Sequence, residues 1–189
     1  MTGRVGPVAG CAISFRPLAE TDFPLLAAWL AQTNVRAFYQ KTPVTLADIA
    51  AEYGPVVRGE EPALAHLAFS EDTPFAYLQC YRNLAYPEWA ALIGADEGVS
   101  VDLFIGDPRF LRRGFGRTAL REYLHTVTFP NYPGERLACI AHEPANAAAL
   151  RCSRAVGFRP VRTFVENGVN MTLLVRDRSQ GDVPTLINE

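Results

Sequence analysis

Residues 99–118 read VSVDLFIGDPRFLRRGFGRT, an apolar stretch followed by a turn that is rich in glycine and arginine. The first part predicts a β-strand at 99–106, because apolar side chains alternate along it with a period of two. The amphipathic sequence from the turn to Phe129 predicts a helix. A helix that begins at such a turn offers unpaired amides and the positive end of its dipole to a ligand. The stretch therefore predicts a phosphate-binding site.

The composition of the turn supports phosphate binding. Gly114 and Gly116 carry no Cβ, so a ligand could approach the main chain closely there. Five arginines lie within thirteen residues with no acidic residue among them, namely Arg109, Arg112, Arg113, Arg117 and Arg121. A solvated helix start that binds nothing is the structural alternative.

Two well-known phosphate-binding motifs fit the turn poorly. A Walker A loop is excluded, because the sequence Gly-Lys-Ser/Thr does not occur. The residues Gly114-x-Gly116-x-x-Ala119 match the dinucleotide fingerprint G-x-G-x-x-A in form. In that fingerprint the first glycine lies directly at the end of the strand, whereas several residues intervene here. The fingerprint is therefore a weak match.

The whole chain has the composition of one ordinary globular domain, with 189 residues, 49% of them hydrophobic and 20% charged. Its formal net charge of −2 argues against a nucleic-acid-binding protein, which usually has a basic surface. The four cysteines and three histidines show no spacing typical of a metal site. No apolar run reaches the length of a membrane span. We therefore expect a cytoplasmic protein with no metal, no nucleic-acid partner and no membrane partner.

Periodicity and turn residues predict the element order β-α-α-β-β-β-α-β-α-β-β. This order describes a mixed sheet with helices on its faces. We expect one domain at 12–178, between an N-terminal lead-in at 1–11 and a C-terminal tail at 179–189.

Local signals mark individual elements within this order. Thr45 predicts the start of a helix, because its side chain can cap the first amides. The pair Asn167-Gly168 predicts a tight hairpin between the last two strands. The segment that contains Tyr86, Pro87 and Trp89 is expected to be a loop that leads to the strand at 99–106.

The glycine-rich turn resembles the pyrophosphate loop of the GNAT superfamily of N-acetyltransferases, whose pattern is Gln/Arg-x-x-Gly-x-Gly/Ala. Gly114 and Gly116 match this pattern, and Leu111 stands at the Gln/Arg position. The predicted element order also matches the topology of that fold. The resemblance implies an α+β protein with a GNAT-type acyl-CoA N-acyltransferase fold, in which helices flank a central, mixed and mostly antiparallel sheet.

A later segment resembles a second motif of that family, Asn-x-x-Ala-x-x-x-Tyr-x-x-x-Gly-Phe. Asn146, Ala149, Gly157 and Phe158 match it, and Ser153 stands where the family has its tyrosine. In the family the asparagine helps to hold the pantetheine arm of acetyl-CoA, and the tyrosine often acts as a general acid near the leaving sulfur. Asn146 is also a typical N-cap residue, which is the structural alternative. Because a thiol has a pKa of about 8.5, CoA thiolate can leave without a general acid.

The resemblance implies that acetyl-CoA is the co-substrate and that two segments bind it. The residues implied in this binding are Phe104, Ile105, Arg112, Arg113, Gly114, Phe115, Gly116, Arg117, Thr118, Asn146, Ala149 and Ser153.

Asp102 interrupts the apolar strand from the face opposite to Val99, Val101, Leu103 and Ile105. A carboxylate in the middle of a sheet is costly unless it has partners. Asp102 is therefore either part of a structural hydrogen-bond network or a functional acid. As a functional acid it would bind an incoming ammonium group and take its proton, because an amine must be neutral to attack a thioester.

The surroundings of Asp102 favour a cationic acceptor. Residues 85–107 contain five acidic residues and no basic residue. This arrangement resembles the aminoglycoside 6'-N-acetyltransferases, in which a loop rich in tryptophan and acidic residues precedes a strand that carries an aspartate. The resemblance implies that Asp102 is catalytic and that Trp89, Asp96, Glu97 and Asp102 bind the substrate.

The resemblance implies transfer of an acetyl group to a primary amine of a cationic small molecule, namely the 6'-amino group of an aminoglycoside, the type of reaction that confers antibiotic resistance. The alternatives are acetylation of a siderophore hydroxylamine, another polyamine or a protein amino terminus, and a non-catalytic module that binds CoA. We expect a small-molecule amine as the partner and a monomer or homodimer as the oligomeric state.

Overall fold

The computed structural model describes residues 12–179, and its strands form one sheet. The strands are β1 (Ile13–Pro17), β2 (Ala63–Ser70), β3 (Thr73–Arg82), β4 (Val99–Ile105), β5 (Leu137–His142), β6 (Arg159–Glu166) and β7 (Val169–Asp177). Their spatial order is β1-β2-β3-β4-β5-β7-β6, and every neighbouring pair is antiparallel except β4 and β5. The predicted α+β architecture is therefore confirmed. The predicted lead-in at 1–11 and residues 180–189 of the predicted tail lie outside the described residues.

Helices cover both faces of this sheet. They are α1 (Phe23–Leu30), α2 (Thr33–Arg36), α3 (Leu46–Val57), α4 (Pro87–Ile93), α5 (Phe115–Tyr123), α6 (Phe129–Asn131) and α7 (Ala147–Ala155). A π-helical segment, Leu124–Thr128, joins α5 to α6, so the helix predicted to run to Phe129 continues with altered geometry. Short 3-10 turns lie at Glu20–Asp22, Asn83–Ala85 and Pro108–Phe110.

Two of the local signals act as the sequence predicts. Thr45 Oγ1 accepts a hydrogen bond from Asp48 N at 3.2 Å, and Asp48 Oδ2 accepts one from Thr45 N at 2.7 Å. This reciprocal capping fixes the start of α3. Asn167 and Gly168 have φ values of 48° and 79°, the left-handed pair that a two-residue hairpin requires. The hairpin of β6 and β7 is therefore set by its turn.

The segment predicted as a loop around Tyr86, Pro87 and Trp89 is partly helical, because it forms α4. Pro87 occupies the first turn of α4, where its missing N–H costs nothing. Gly94 ends the helix in the left-handed conformation, with a φ of 63°. A helix of seven residues is too short to show a clear period, and it is stabilised mainly by the burial of its apolar side chains.

The parallel pair of β4 and β5 is short. The two strands are in register only at Val99↔Ala138 and Ser100↔Cys139, whereas β3 stays paired with β4 as far as Ala76↔Ile105. Beyond Ser100, β4 therefore has a partner on one edge and a gap on the other. We call the space between the unpaired parts of β4 and β5 the strand gap.

The two faces of the sheet carry separate hydrophobic clusters. On one face, Val101 and Ile140 pack with Leu120 of α5, and this is the α5–α7 face. On the other, Phe104 packs with Leu26 of α1 and with α3, and this is the α1–α3 face. Because neighbouring residues of a strand point to opposite faces, the predicted alternation along β4 is confirmed.

Gly106 generates a stability prediction, because it follows β4 directly and lies against the ring of Trp29. A Cβ at this position would overlap with that ring, which is packed in the core. We therefore expect Gly106→Ala to lower the free energy of unfolding by about 1–3 kcal/mol.

Gly134→Ala is the matched control, since a Cβ at Gly134 would meet no heavy atom within 4 Å. Urea denaturation measures both variants. Equal stabilities would contradict the close contact between Gly106 and Trp29.

Candidate active site

The predicted phosphate-binding turn is open at the start of α5. Gly114 caps the helix in the left-handed conformation, with a φ of 86°, and a Cβ there would meet nothing within 4 Å. The first hydrogen bond of the helix runs from Thr118 N to Gly114 O at 3.1 Å. The amides of Phe115, Gly116 and Arg117 therefore belong to the unpaired first turn of the helix. This end of α5 can bind an anion with main-chain donors and a helix dipole.

The arginines of the turn differ in what they contact. Arg109 pairs with Asp107 at 2.6 Å. Arg113 donates to Arg109 O at 3.2 Å, and its guanidinium lies 5.5 Å from the centre of the Phe115 ring. Arg112 is exposed and forms no ion pair with any residue between 12 and 179. At least Arg112 is therefore available to an anionic ligand.

The three sequence motifs converge at Gly116. A Cβ at this position would lie 3.7 Å from Cys152 Sγ of α7 and 3.8 Å from Ile105 Cδ1 of β4. At the start of α7, Asn146 Oδ1 accepts a hydrogen bond from Ala149 N at 3.1 Å. The side-chain carbonyl of Asn146 thus caps α7, and its amide group is left to donate to a ligand. The end of β4 and the helices α5 and α7 therefore form one site.

Ser153 is buried and bonds to a histidine that the sequence analysis did not single out. Its Oγ lies 2.8 Å from His142 Nε2, at the end of β5. Burial lowers the pKa of His142 to about 4, so the imidazole is neutral at neutral pH. The alternation of β5 places His142 on the same face as Ile140, but no spacing in the sequence links it to Ser153.

The edge of β4 presents main-chain groups to the strand gap. Gly106 N donates to Phe75 O at 2.9 Å, and this bond establishes which residues of β4 direct their main-chain N–H and C=O groups toward β3. By the alternation of an antiparallel ladder, the polar groups of Phe104 face β3, and those of Leu103 and Ile105 face the gap. Asn34 Nδ2 of α2 donates to Ile105 O at 2.9 Å, which agrees with a carbonyl of Ile105 that faces away from β3. The amide of Leu103 is therefore a hydrogen-bond donor in the gap.

Asp102 is half-buried on the α1–α3 face and is held by neutral groups. Gln79 Nε2 donates to Asp102 Oδ2 at 2.7 Å, and Tyr77 OH donates to Gln79 Oε1 at 2.7 Å. Burial raises the pKa of Asp102 above the ordinary carboxyl value, and the hydrogen bonds from Gln79 and Tyr81 oppose this only in part. No cation within residues 12–179 forms an ion pair with Asp102. Its charge is thus available to a cationic ligand.

Two further carboxylates lie near this site and were missed by the sequence analysis. Burial raises the pKa of Glu166, at the end of β6, and the negative charge of Asp102 raises it further. Burial also raises the pKa of Glu52 in α3, whose charge acts on Tyr53 and Tyr77. They come from parts of the chain far from Asp102, so only the fold brings them together. The α1–α3 face is therefore acidic around Asp102.

The other residues predicted to bind substrate are placed differently. Trp89 Nε1 donates to Ser100 Oγ at 2.8 Å, and its ring packs edge-on against Phe164 at 5.8 Å. Asp96 and Glu97 are exposed and precede β4, whose first residue already lies about 10 Å along the strand from Asp102. The structure therefore does not bring Asp96 and Glu97 together with Asp102 at the strand gap.

Within residues 12–179, no three or more histidine, cysteine, aspartate or glutamate side chains are grouped so that they could bind a metal ion. In the same part of the chain, no helix combines the length and the apolar character that crossing a bilayer requires.

Comparison with known proteins identifies relatives of this arrangement. The family model described as an acetyltransferase (GNAT) domain matches residues 19–165. Aminoglycoside N(6')-acetyltransferase type 1 from Klebsiella pneumoniae is 25% identical over 150 residues, which cover 78% of this chain and 74% of that protein. The protein of the same name from Serratia marcescens gives the same values.

Solved structures show the same fold. The aminoglycoside acetyltransferase AAC(6')-Ib in complex with coenzyme A has a TM-score of 0.78 at 22% identity, covering 88% of this chain and 95% of that one. An aminoglycoside N(6')-acetyltransferase from Legionella pneumophila has a TM-score of 0.68 at 17% identity, covering 90% and 94% of the two chains.

The raised pKa of Asp102 generates a prediction about stability. A carboxyl whose pKa is higher in the folded state than in the unfolded state destabilises the fold once it is ionised. We expect Asp102→Asn to be more stable than the wild type at neutral pH. The difference should disappear as the pH falls below the ordinary carboxyl pKa, where both states are protonated.

Asp107→Asn is the control, and its stability should change in the opposite direction, because the hydrogen bond from Arg109 lowers the pKa of Asp107. This variant should be less stable than the wild type at neutral pH, by at most about 1 kcal/mol for a surface pair. Thermal unfolding across the acid range measures both variants. A loss of stability in Asp102→Asn at neutral pH would contradict a raised pKa of Asp102 in the folded protein.

Proposed function

The chain belongs to the GNAT family of N-acetyltransferases, and we propose that it transfers the acetyl group of acetyl-CoA to the 6'-amino group of an aminoglycoside. One observation carries the choice of a cationic acceptor. Asp102 is a half-buried carboxylate beside the strand gap, and its partners among the described residues are the neutral groups of Gln79 and Tyr81. A positively charged ligand would complete this site electrostatically.

The residues at the start of α5 fit the diphosphate of acetyl-CoA. The absence of a Cβ at Gly114 leaves the main chain accessible, and the amides of the first turn supply donors without a side chain. Arg112 adds a cation beside them, and the amide group of Asn146 can donate to the pantetheine arm. When bound, acetyl-CoA supplies an activated acetyl thioester. Structures with coenzyme A and with acetyl-CoA exist for the similar AAC(6')-Ib protein.

Asp102 and the amide of Leu103 have different roles in the acetyl transfer. Asp102 binds the ammonium group of the acceptor and takes a proton from it, so that the nitrogen has a free electron pair. Its raised pKa suits this role, because a carboxylate that is reluctant to ionise is a stronger base. The amide of Leu103 donates a hydrogen bond in the gap, where negative charge develops on the thioester oxygen.

The other acidic residues support an acceptor with several amino groups. Glu52 and Glu166 can each attract a further ammonium group while Asp102 holds the one that reacts. The ring of Tyr39 is partly exposed and packs edge-on against the buried Tyr77, so it adds flat apolar surface next to these charges, which suits the rings of an aminosugar. A structure with kanamycin exists for the similar AAC(6')-Ib protein.

Replacement of Asp102 tests its role as base. We expect Asp102→Asn to lower kcat for acetyl transfer to kanamycin by about 100- to 10,000-fold, the range for loss of a general base. The melting temperature should still rise on addition of acetyl-CoA, because the phosphate-binding turn is unchanged.

Glu60→Gln is the control for removal of one acidic charge, because Glu60 is exposed and pairs with Arg58. It should leave turnover unchanged. Undiminished turnover in Asp102→Asn would exclude Asp102 as the base. Equal rates with kanamycin and with an aliphatic monoamine would exclude an acceptor site built for several charges, and transfer only to a hydroxylamine would favour a siderophore acceptor.

Replacement of Gly116 tests the diphosphate site. Its Cβ would make only ordinary contacts, so Gly116→Glu should fold, while its carboxylate would repel the diphosphate. We expect the affinity for CoA in calorimetry to fall by more than about tenfold, since a like charge replaces a favourable helix end.

Gly134→Glu makes the same chemical change in an exposed turn and should leave the affinity for CoA unchanged. If Gly116→Glu bound CoA as tightly as this control, the start of α5 would not be the diphosphate site.

A further inference from the structure

The strand gap separates two chemical environments, and this matters if the chain is the acetyltransferase proposed above. The candidate acetyl-CoA residues at Gly116 and Asn146 lie at the ends of α5 and α7, on the α5–α7 face. Asp102 shares the opposite face with Phe104 and Tyr77. An acetyl group in the gap is therefore attacked by nitrogen from one face, and its sulfur departs toward the other.

Two polar side chains mark the α5–α7 face next to the gap. His142 is the last residue of β5, in the part of that strand that has β7 on one edge and no strand on the other. Ser153 lies beneath it on α7, with 1% of its surface exposed. Their 2.8 Å hydrogen bond joins the two walls of this side of the gap.

The burial of Ser153 determines which of the two residues donates the hydrogen bond. A buried hydroxyl that did not donate its hydrogen would lose a hydrogen bond that it makes in water. Its partner in the structure is His142 Nε2, so the hydroxyl donates and Nε2 accepts. The neutral imidazole then carries its hydrogen on Nδ1. That nitrogen has no hydrogen-bond partner among residues 12–179, and it is not among the fully buried polar atoms of that part of the chain.

We propose that His142 is a catalytic residue that donates a hydrogen bond from Nδ1 to the departing sulfur of CoA, and that Ser153 is the positioning residue that fixes its ring. As the acceptor nitrogen forms its bond to the acetyl carbon, the C–S bond breaks and its electron pair stays on sulfur. The nitrogen loses its protons to Asp102 and to water. The sulfur leaves as a thiolate and takes a proton from solvent, and His142 keeps its own proton throughout.

The test compares two replacements of His142. His142→Leu removes the N–H donor but fills similar space, and we expect kcat to fall by about 10- to 100-fold, the effect of one hydrogen bond to a charged group. KM for acetyl-CoA should change little. His142→Asn keeps an N–H donor near the position of Nδ1 and should retain more activity than His142→Leu. His125→Leu, an exposed histidine of the π-helical segment, is the control and should match the wild type.

A binding measurement isolates the contact with sulfur. Above the thiol pKa of about 8.5, CoA carries a thiolate, and desulfo-CoA lacks the sulfur atom altogether. We expect wild-type protein to prefer CoA, and His142→Leu to lose this preference while it still binds desulfo-CoA normally. Ser153→Ala should lower kcat less than His142→Leu does, without a change in KM.

The outcomes are distinct. An unchanged kcat in His142→Leu, an undiminished preference of His142→Leu for CoA over desulfo-CoA, or an equal loss of kcat in His142→Asn would overturn the proposal. If His142→Leu melts early, the kcat of Ser153→Ala and the preference of His142→Asn for CoA over desulfo-CoA decide the question. If the wild type transfers no acetyl group, the proposed function fails, but the comparison of CoA with desulfo-CoA still tests the contact of His142.

Discussion

β4 and β5 separate after two residue pairs, and this separation creates the strand gap at which the candidate site is built. Up to Ser100 the parallel strands satisfy each other's main-chain groups, and beyond it the edge of β4 is left without a strand. Such groups need partners. Asn34 supplies one to Ile105 O, and the amide of Leu103 remains for a ligand. The unpaired edge of β4 can therefore bind a ligand. The gap beside it connects the two faces of the sheet, which carry different functional side chains.

Asp102 shows what this arrangement costs. A half-buried carboxylate without a cation among the described residues is unfavourable for folding, and its raised pKa expresses that cost. Gln79 and Tyr77 hold it in one orientation without neutralising it. Glu166 and Glu52 add to the negative field instead of relieving it. The fold, built around a large apolar core on each face of the sheet, tolerates this cluster. The acidic face can therefore attract a cation.

The sequence predicts what depends on neighbouring residues. The alternation along β4, the cap at Thr45 and the turn at Asn167-Gly168 are local features, and the structure contains all three. The short helix α4 was missed because its signals, a proline and a glycine, also mark loops. His142 could not be linked to Ser153 because that contact joins a strand to a separate helix. Sequence motifs therefore locate the turn at the start of α5. The contacts between residues from separate parts of the chain become visible only in the folded structure.

A crystal structure of the protein with acetyl-CoA bound would show directly whether the co-substrate occupies the strand gap. We predict that the pantetheine arm lies along β4 beyond Ser100, that the thioester oxygen accepts a hydrogen bond from the Leu103 amide, and that the sulfur lies on the α5–α7 face, across the sheet from Asp102. A structure in which CoA binds elsewhere, or in which β4 and β5 pair along their whole length with CoA outside them, would contradict this account.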